Sequence, residues 1–170
     1  MVSVNNISDN VFKKINETFS SPDIKQFEEG RDNVISKILD EIENDVSIPE
    51  KLEDLIQYNV GIGLLLKKYE KESLHYIGIL EKLERKIEFM EATLEQEYKR
   101  NPDVYNGIRL EKREIDNLIL INENHVKLVE KKENIKLICQ LYADAKDRIL
   151  KSAFSIKNQI DAIKISLQAY

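Results

Sequence analysis

The longest amphipathic pattern in the chain runs from Leu64 to Arg100. Its apolar and aromatic residues recur at alternating steps of four and three positions, and charged residues fill most of the positions between them. The apolar series is Tyr76, Leu80, Leu83, Ile87, Met90 and Leu94. This spacing predicts an α-helix with one narrow apolar seam, on the order of 50 Å long at about 1.5 Å of rise per residue. Such a helix must bury its seam against another helix.

A turn signal rich in Asn, Pro and Asp follows the long helix at residues 99–107. Beyond it, the apolar pattern predicts a second helix that starts near Ile108 and runs antiparallel to the first, because the connection is short. Residues 64–121 are therefore predicted to form a long helical hairpin. Asn122 and Asn124 are expected to interrupt the returning helix, because Asn side chains compete for backbone hydrogen bonds and favour helix caps.

Shorter amphipathic segments precede the hairpin. Residues 1–44 are predicted to be an acidic helical extension, and residues 45–170 to be the main helical domain. Pro49 suits the first position of a helix that leads towards the hairpin. Gly61 and Gly63 then mark either a bend before the long helix or a close approach of another helix, since Gly is unfavourable inside a helix without such a reason.

The C-terminal helices, predicted at about 125–168, carry an apolar stripe that little of the remaining chain is expected to cover. The steps of four between Ala145, Ile149 and Ala153 indicate a local eleven-residue repeat, and a kink near Ser152 is the alternative. We expect the stripe to be used for oligomerisation. The expected interface residues are Ile149, Phe154, Ile156, Ile160 and Ile163.

Composition supports an all-α fold, because 34% of the residues are charged while Gly contributes only 5 and Pro only 3. The net charge of −5 is unevenly spread: residues 1–56 contain 13 acidic and 6 basic residues, whereas residues 135–170 contain 3 and 6. A uniformly basic nucleic-acid-binding protein is thereby excluded, and only local basic patches remain possible. Neither a signal sequence nor an apolar run of about 18 residues is present, so we expect a cytoplasmic protein without a membrane span.

Catalytic chemistry is poorly represented in the sequence. His75 and His125 lie far apart and have no metal-binding partner at motif spacing. Gly61-Ile62-Gly63 lacks the Lys-Ser/Thr ending of a phosphate-binding loop. We therefore expect no enzyme, no metal site and no cofactor.

Basic residues cluster around the predicted hairpin tip, with Tyr98 and Tyr105 beside them. Cations for phosphates and rings for base stacking are what single-stranded nucleic acid needs. The candidate nucleic-acid-binding residues are Lys82, Arg85, Lys86, Lys99, Arg100, Arg109, Lys112 and Arg113. Interspersed glutamates such as Glu95 and Glu97 leave a second interpretation open, in which these charges only solvate the helices and form pairs along them.

Two stretches of the chain resemble phage recombination mediator proteins of the UvsY type. The first begins with Asp45-Val46-Ser47-Ile48 and leads to Lys67-Lys68-Tyr69, where that family has an Asp-Val-x-Ile motif before a helix that reaches a Lys-Trp pair. The second, Lys151-Ser152-Ala153-Phe154-Ser155-Ile156-Lys157, is similar to the family's Lys-Ser-Arg-Gly-Phe-Ala-Ile-Lys stretch. The resemblance covers roughly residues 35–167.

This resemblance implies a small helical protein without enzymatic activity that forms a hexameric or heptameric ring through its C-terminal helix. It implies binding to single-stranded DNA and loading of a RecA-like recombinase in place of single-strand-binding protein during DNA recombination, repair and replication, in the host cytoplasm of a phage. Two departures are visible: the family's Lys-x-Arg pair aligns near Glu91, Ala92 and Thr93, and Ala153 replaces its Arg-Gly. The alternative is a coiled-coil structural or adaptor protein that binds partner helices.

Overall fold

The structure is a computed structural model that describes residues 11–13, 15, 17, 31–100 and 110–168. Regular secondary structure in this part of the chain is entirely α-helical, which confirms the predicted all-α fold. Residues 11–13 are helical. The helices that follow are α1 (Arg31–Val46), α2 (Leu52–Arg100), α3 (Lys112–Leu120) and α4 (Glu123–Gln168).

The long helix α2 packs against the C-terminal helix α4, and the two contain 49 and 46 residues. Both bury one seam whose members recur mainly at steps of three, four or seven residues. In α2 the buried apolar residues are Leu55, Ile62, Tyr69, Ile79, Leu83, Ile87, Met90 and Leu94, followed by Tyr98. In α4 they are Leu128, Ile135, Ile138, Tyr142, Ala145, Ile149, Ile156 and Ile160. The seam predicted between Leu83 and Leu94 is therefore confirmed.

The described residues form two compact units. Unit 1 contains residues 78–136, apart from 101–109, together with the described positions between 11 and 17; unit 2 contains residues 31–77 and 137–168. Helices α2 and α4 contribute to both units. The predicted boundary at residue 44 falls inside α1, and the contacts divide the described chain elsewhere.

Within each unit, α2 and α4 run antiparallel. In unit 1, Tyr98 hydrogen-bonds with Asn122, while Glu91, earlier in α2, contacts His125, later in the chain. In unit 2, the rings of Tyr76 and Tyr142 stack with their centroids 5.6 Å apart. The main partner of the long helix is thus α4, and the returning segment predicted from residue 108 contributes only the nine-residue helix α3, which buries Ile115 and Ile119.

Unit 2 covers most of the C-terminal stripe with residues of the same chain. Ile149, Ile156 and Ile160 are buried in the single chain, so the expectation that these side chains form an exposed subunit interface is wrong. The physical reason is that α2 begins at Leu52 rather than near residue 64, which provides a longer covering seam than the sequence suggested. Ile163 is half-buried, and of the five predicted interface residues only Phe154 is largely exposed.

Helix α2 continues without interruption through Gly61 and Gly63. Among the described residues, nothing lies within 4 Å of the position that a Cβ would take at either glycine, so the close approach considered from the sequence is not found there. Helix α4 also continues through Ser152, and the burial of Ile149 and Ile156 keeps the seven-residue repeat there.

The predicted interruption at Asn122 is confirmed, because α3 ends at Leu120 and α4 begins at Glu123. The Oδ1 atom of Asn122 accepts hydrogen bonds from the backbone N–H groups of Asn124 and His125, at 3.1 and 3.2 Å. These groups have no partner within a helix at its first turn, so Asn122 caps α4.

We predict that Asn122→Ala lowers the free energy of unfolding by about 1 kcal/mol, because the first turn of α4 loses its cap. Urea denaturation followed by far-ultraviolet circular dichroism measures this change. Asn158→Ala, at an exposed position inside α4, is the matched control and should leave stability within about 0.5 kcal/mol of the wild type. Equal stability of the two variants would contradict the assignment of the cap.

Candidate nucleic-acid interface

Helix α2 presents a row of exposed side chains in unit 1 that contains no carboxylate. Its positions recur at steps of three and four, so the side chains lie on one face of the helix. The row consists of Lys82, Arg85, Phe89, Ala92, Gln96 and Lys99, all exposed. We refer to these six residues as the basic row. It spans about 25 Å along the helix at about 1.5 Å per residue.

Five glutamates of the same segment follow a neighbouring row of α2, formed by Glu81, Glu84, Glu88, Glu91 and Glu95, and a sixth, Glu97, lies off this row. At the C-terminal end of α2, the Nζ atom of Lys99 donates to Oε1 of Glu95 at 2.5 Å. This hydrogen bond, and then the charges of Lys99 and Lys112, hold the pKa of the Glu95 carboxyl below its usual value. Glutamates of this row also stand three or four positions from cations of the basic row, as Glu81 and Glu88 do from Arg85, so the two signs of charge lie on adjacent rows of the helix.

Lys86 is buried, although it was predicted to lie on the surface. Its residue is only 4% exposed, and its ammonium lies 5.8 Å from the centroid of the Phe12 ring. Lys86 follows Leu83 by three positions and precedes Met90 by four, so it occupies a place in the buried seam. The prediction that Lys86 belongs to an exposed basic patch is therefore wrong. Its spacing from Leu83 and Met90 already indicated burial.

The remaining candidates lie around the end of α2 and the start of α3. Arg100 is exposed at the last position of α2, and Lys112 and Arg113 are exposed in the first turn of α3. Lys112 is close enough to Glu95 to contribute to the lowered pKa of that carboxyl. The candidate Arg109 lies outside the described residues, as does Tyr105.

Of these two aromatic residues of α2, Phe89 is the exposed one and Tyr98 is buried. Tyr98 is 2% exposed, burial raises the pKa of its phenol, and its side chain hydrogen-bonds with Asn122. Phe89, by contrast, is 45% exposed within the basic row. Phe89 was not among the predicted residues, because the candidate stacking rings were expected near the hairpin tip, but its spacing from Arg85 and Lys82 indicates that the three share one face.

The departure from the UvsY-like pattern at Glu91 coincides with a specific contact. His125 is buried, and its Nε2 atom lies 2.7 Å from Oε1 of Glu91. A carboxylate at this position can therefore accept a hydrogen bond from a buried imidazole N–H, whereas a Lys or Arg side chain has no acceptor. His75 instead is exposed and lies edge-on to the Tyr76 ring at 5.3 Å. Within the described residues, no three His, Cys, Asp or Glu side chains are grouped to hold a metal ion.

The two parts of the N-terminal resemblance meet in unit 2. The Asp45 carboxylate accepts hydrogen bonds from Lys68 Nζ at 2.6 Å and from the Tyr69 hydroxyl at 3.0 Å. The Lys68 ammonium also pairs with Glu41 at 2.5 Å, and the Tyr58 hydroxyl donates to the Asp45 backbone carbonyl at 2.8 Å. These contacts hold the end of α1 on α2. The Asp-Val-x-Ile and Lys-aromatic segments thus have a structural role in this chain.

A cluster of aromatic rings continues from this contact into the core of unit 2. Tyr142 lies 5.8 Å from Tyr69 and 5.6 Å from Tyr76, measured between ring centroids. Burial raises the pKa of the Tyr142 phenol, and the neighbouring Tyr76 phenol raises that pKa further. The ring stack therefore depends on neutral phenols.

Comparisons of the chain with family models, with curated proteins and with solved structures found no match. The UvsY-like resemblance stays a prediction. None of the described helices contains an apolar stretch long enough to span a membrane.

We predict that Tyr142→Phe reduces the loss of stability at alkaline pH. The unfolded phenol has a pKa of about 10, whereas the folded pKa is raised. As the pH rises above about 10, the unfolded state releases a proton that the folded state keeps, so the wild type loses stability. Phe lacks that proton.

Urea denaturation of Tyr142→Phe and the wild type near pH 8 and near pH 11 measures this difference. The stability of the variant relative to the wild type should rise by about 1 kcal/mol between the two conditions. An unchanged difference would show that the phenol is not titrating abnormally.

Proposed function

We propose that the protein binds single-stranded DNA along the basic row. The observation that carries this proposal is the exposed Phe89 on the same row of α2 as Lys82, Arg85 and Lys99. Lys82 and Arg85 lie within two helical turns of that ring. Cations that neutralise phosphates, combined with an aromatic ring on which a base stacks, provide sequence-independent affinity for single strands.

The dimensions of the row favour a short single-stranded site. About 25 Å of helix accommodates on the order of four nucleotides of extended strand, the lower end of the range known for such sites. The adjacent glutamate row disfavours a duplex, because its broader phosphate surface would extend over these carboxylates. The overall acidity of the chain is compatible with this arrangement, since binding depends on the local sign of charge.

We further propose that the bound strand is handed to a RecA-like recombinase in place of single-strand-binding protein, the role of a recombination mediator. This part rests on the resemblance to the UvsY-like family, with self-association of the chain as one element. Since Ile149, Ile156 and Ile160 are buried, self-association must use the exposed side of α4, to which Phe154 belongs.

A second candidate is a coiled-coil adaptor protein that binds partner helices. The exposed apolar side chains Val60 and Leu64 on α2 favour it, because they are available to another protein. In an adaptor, the basic row would only solvate α2. Salt-dependent affinity for single-stranded DNA separates the two functions, because an adaptor has no reason to show it.

We predict that the combined change Lys82→Ala, Arg85→Ala and Lys99→Ala weakens binding to labelled oligo-dT in fluorescence anisotropy. Loss of three phosphate contacts should reduce the magnitude of the slope of log K against log salt by about 2, at roughly 0.7 per contact. Circular dichroism should remain unchanged, because all three side chains are exposed.

The matched control is the triple alanine variant at Lys37, Lys51 and Lys127, which removes the same charge from other exposed positions. Its salt slope should equal that of the wild type. If both triple variants bind alike, the basic row is not the site; if the wild type does not bind even at low salt, the proposed function is wrong.

We also predict that Phe89→Ala weakens oligo-dT binding while leaving the salt slope unchanged, because a stacking platform is lost and no charge is removed. One stacked base contributes about 1–3 kcal/mol, which corresponds to a loss of roughly 5-fold to 160-fold in affinity. Leu137→Ala, another exposed apolar position, is the control and should bind normally. Wild-type affinity of Phe89→Ala would exclude stacking on this ring.

A further inference from the structure

A surface groove of about 390 Å³ lies in unit 2 and is lined by residues of α2 and α4. Its apolar lining consists of Ala153, Phe154 and Ile160, and Phe154 is 74% exposed. Two lysines, Lys157 and Lys164, stand one on either side of Asp161 along α4. The groove therefore combines an exposed aromatic ring with an excess of positive charge.

Helix α1 presents the complementary chemistry in the same unit. Its outer face carries Leu39, which is 44% exposed, with the exposed carboxylates Asp40 and Glu43 beside it. Within the described part of the chain, no ion pair engages these two carboxylates or the two groove lysines. One chain thus displays an acidic face with an apolar centre and a basic groove with an apolar centre.

The outer face of α1 points away from the core of the same chain. Ile38 and Ile42 are buried, and Asp45 and Glu41 are held by Lys68. Turning Leu39 inward would expose both isoleucines and break these ion pairs. The outer face of α1 is therefore available to another molecule and not to its own groove.

We infer that the groove on α4 receives the outer face of α1 from a second copy of this chain. Opposite charges would surround a contact between Leu39 of one molecule and Phe154 of the other. Because the two surfaces are different, the contact closes either as a two-fold pair that uses it twice or as a ring. The inference deepens the self-association in the proposed function and rests on it.

Charge reversal with measurement of mass by light scattering tests the contact. The variant Lys157→Glu with Lys164→Glu, and separately Asp40→Lys with Glu43→Lys, should each fall from the assembled mass towards the 19.9 kDa of one chain. Mixing the two variants should restore assembly, because each supplies the surface that the other needs. A single chain carrying all four changes should also assemble.

The control reversal, Lys37→Glu with Lys51→Glu, should leave the mass unchanged, and circular dichroism verifies that every variant is folded. Phe154→Ala tests the apolar part independently and should shift the assembly midpoint to higher protein concentration. The inference is overturned if the wild type remains a single chain at micromolar concentration, if either groove or α1 reversal leaves the mass unchanged, or if the mixture fails to assemble.

DNA binding is measured separately on the same samples. A wild type that assembles but does not bind oligo-dT would refute the proposed function and leave the contact intact. A wild type that binds oligo-dT as a single chain would refute the contact alone.

Discussion

The structure depends on the match between the apolar seams of α2 and α4. Most of the stability of an amphipathic helix in a protein comes from burying its apolar face rather than from helix propensity, so α2 and α4 each depend on covering this seam. Because both seams repeat close to every seven residues, they remain in contact over many turns. If the repeat of one helix differed from that of the other, its seam would turn towards solvent along the helix. The seven-residue repeat therefore limits which positions in both helices can be apolar.

Regular seams leave one ambiguity, because a shift by one repeat would still bury apolar residues against apolar residues. Polar contacts remove it. The Glu91–His125 pair and the Tyr98–Asn122 hydrogen bond each require one alignment of α2 and α4 in unit 1. A buried cation such as Lys86 adds to this selection, since a polar residue in a helical seam favours the alignment that satisfies it. The hydrogen bonds that Asp45 accepts from Lys68 and Tyr69 likewise fix the alignment of α1 on α2.

Hydrophobic spacing together with composition predicted the all-α fold, spacing predicted the long seam of α2, and the capping preference of Asn predicted the break at Asn122, because each follows from local chemistry. Spacing did not predict that α2 covers the C-terminal stripe, since Gly61 and Gly63 obscured where that helix begins. The spacing of the seam also indicated that Lys86 is buried, although its charge had suggested a surface position. Phe89 illustrates the remaining difficulty: its spacing places it on one row with Arg85 and Lys82, but spacing does not show whether another helix covers that row.

The two units differ in how far apart their partners lie along the chain, and this difference affects the route by which the chain acquires its structure. In unit 1, Glu91 and His125 are separated by 34 positions. In unit 2, the contact between Tyr69 and Tyr142 spans roughly twice that separation, and each doubling of a loop adds about 0.6 kcal/mol of closure entropy. Once unit 1 has formed, most of the intervening chain is already ordered. Early formation of unit 1 therefore lowers the kinetic barrier to joining the distant parts of unit 2.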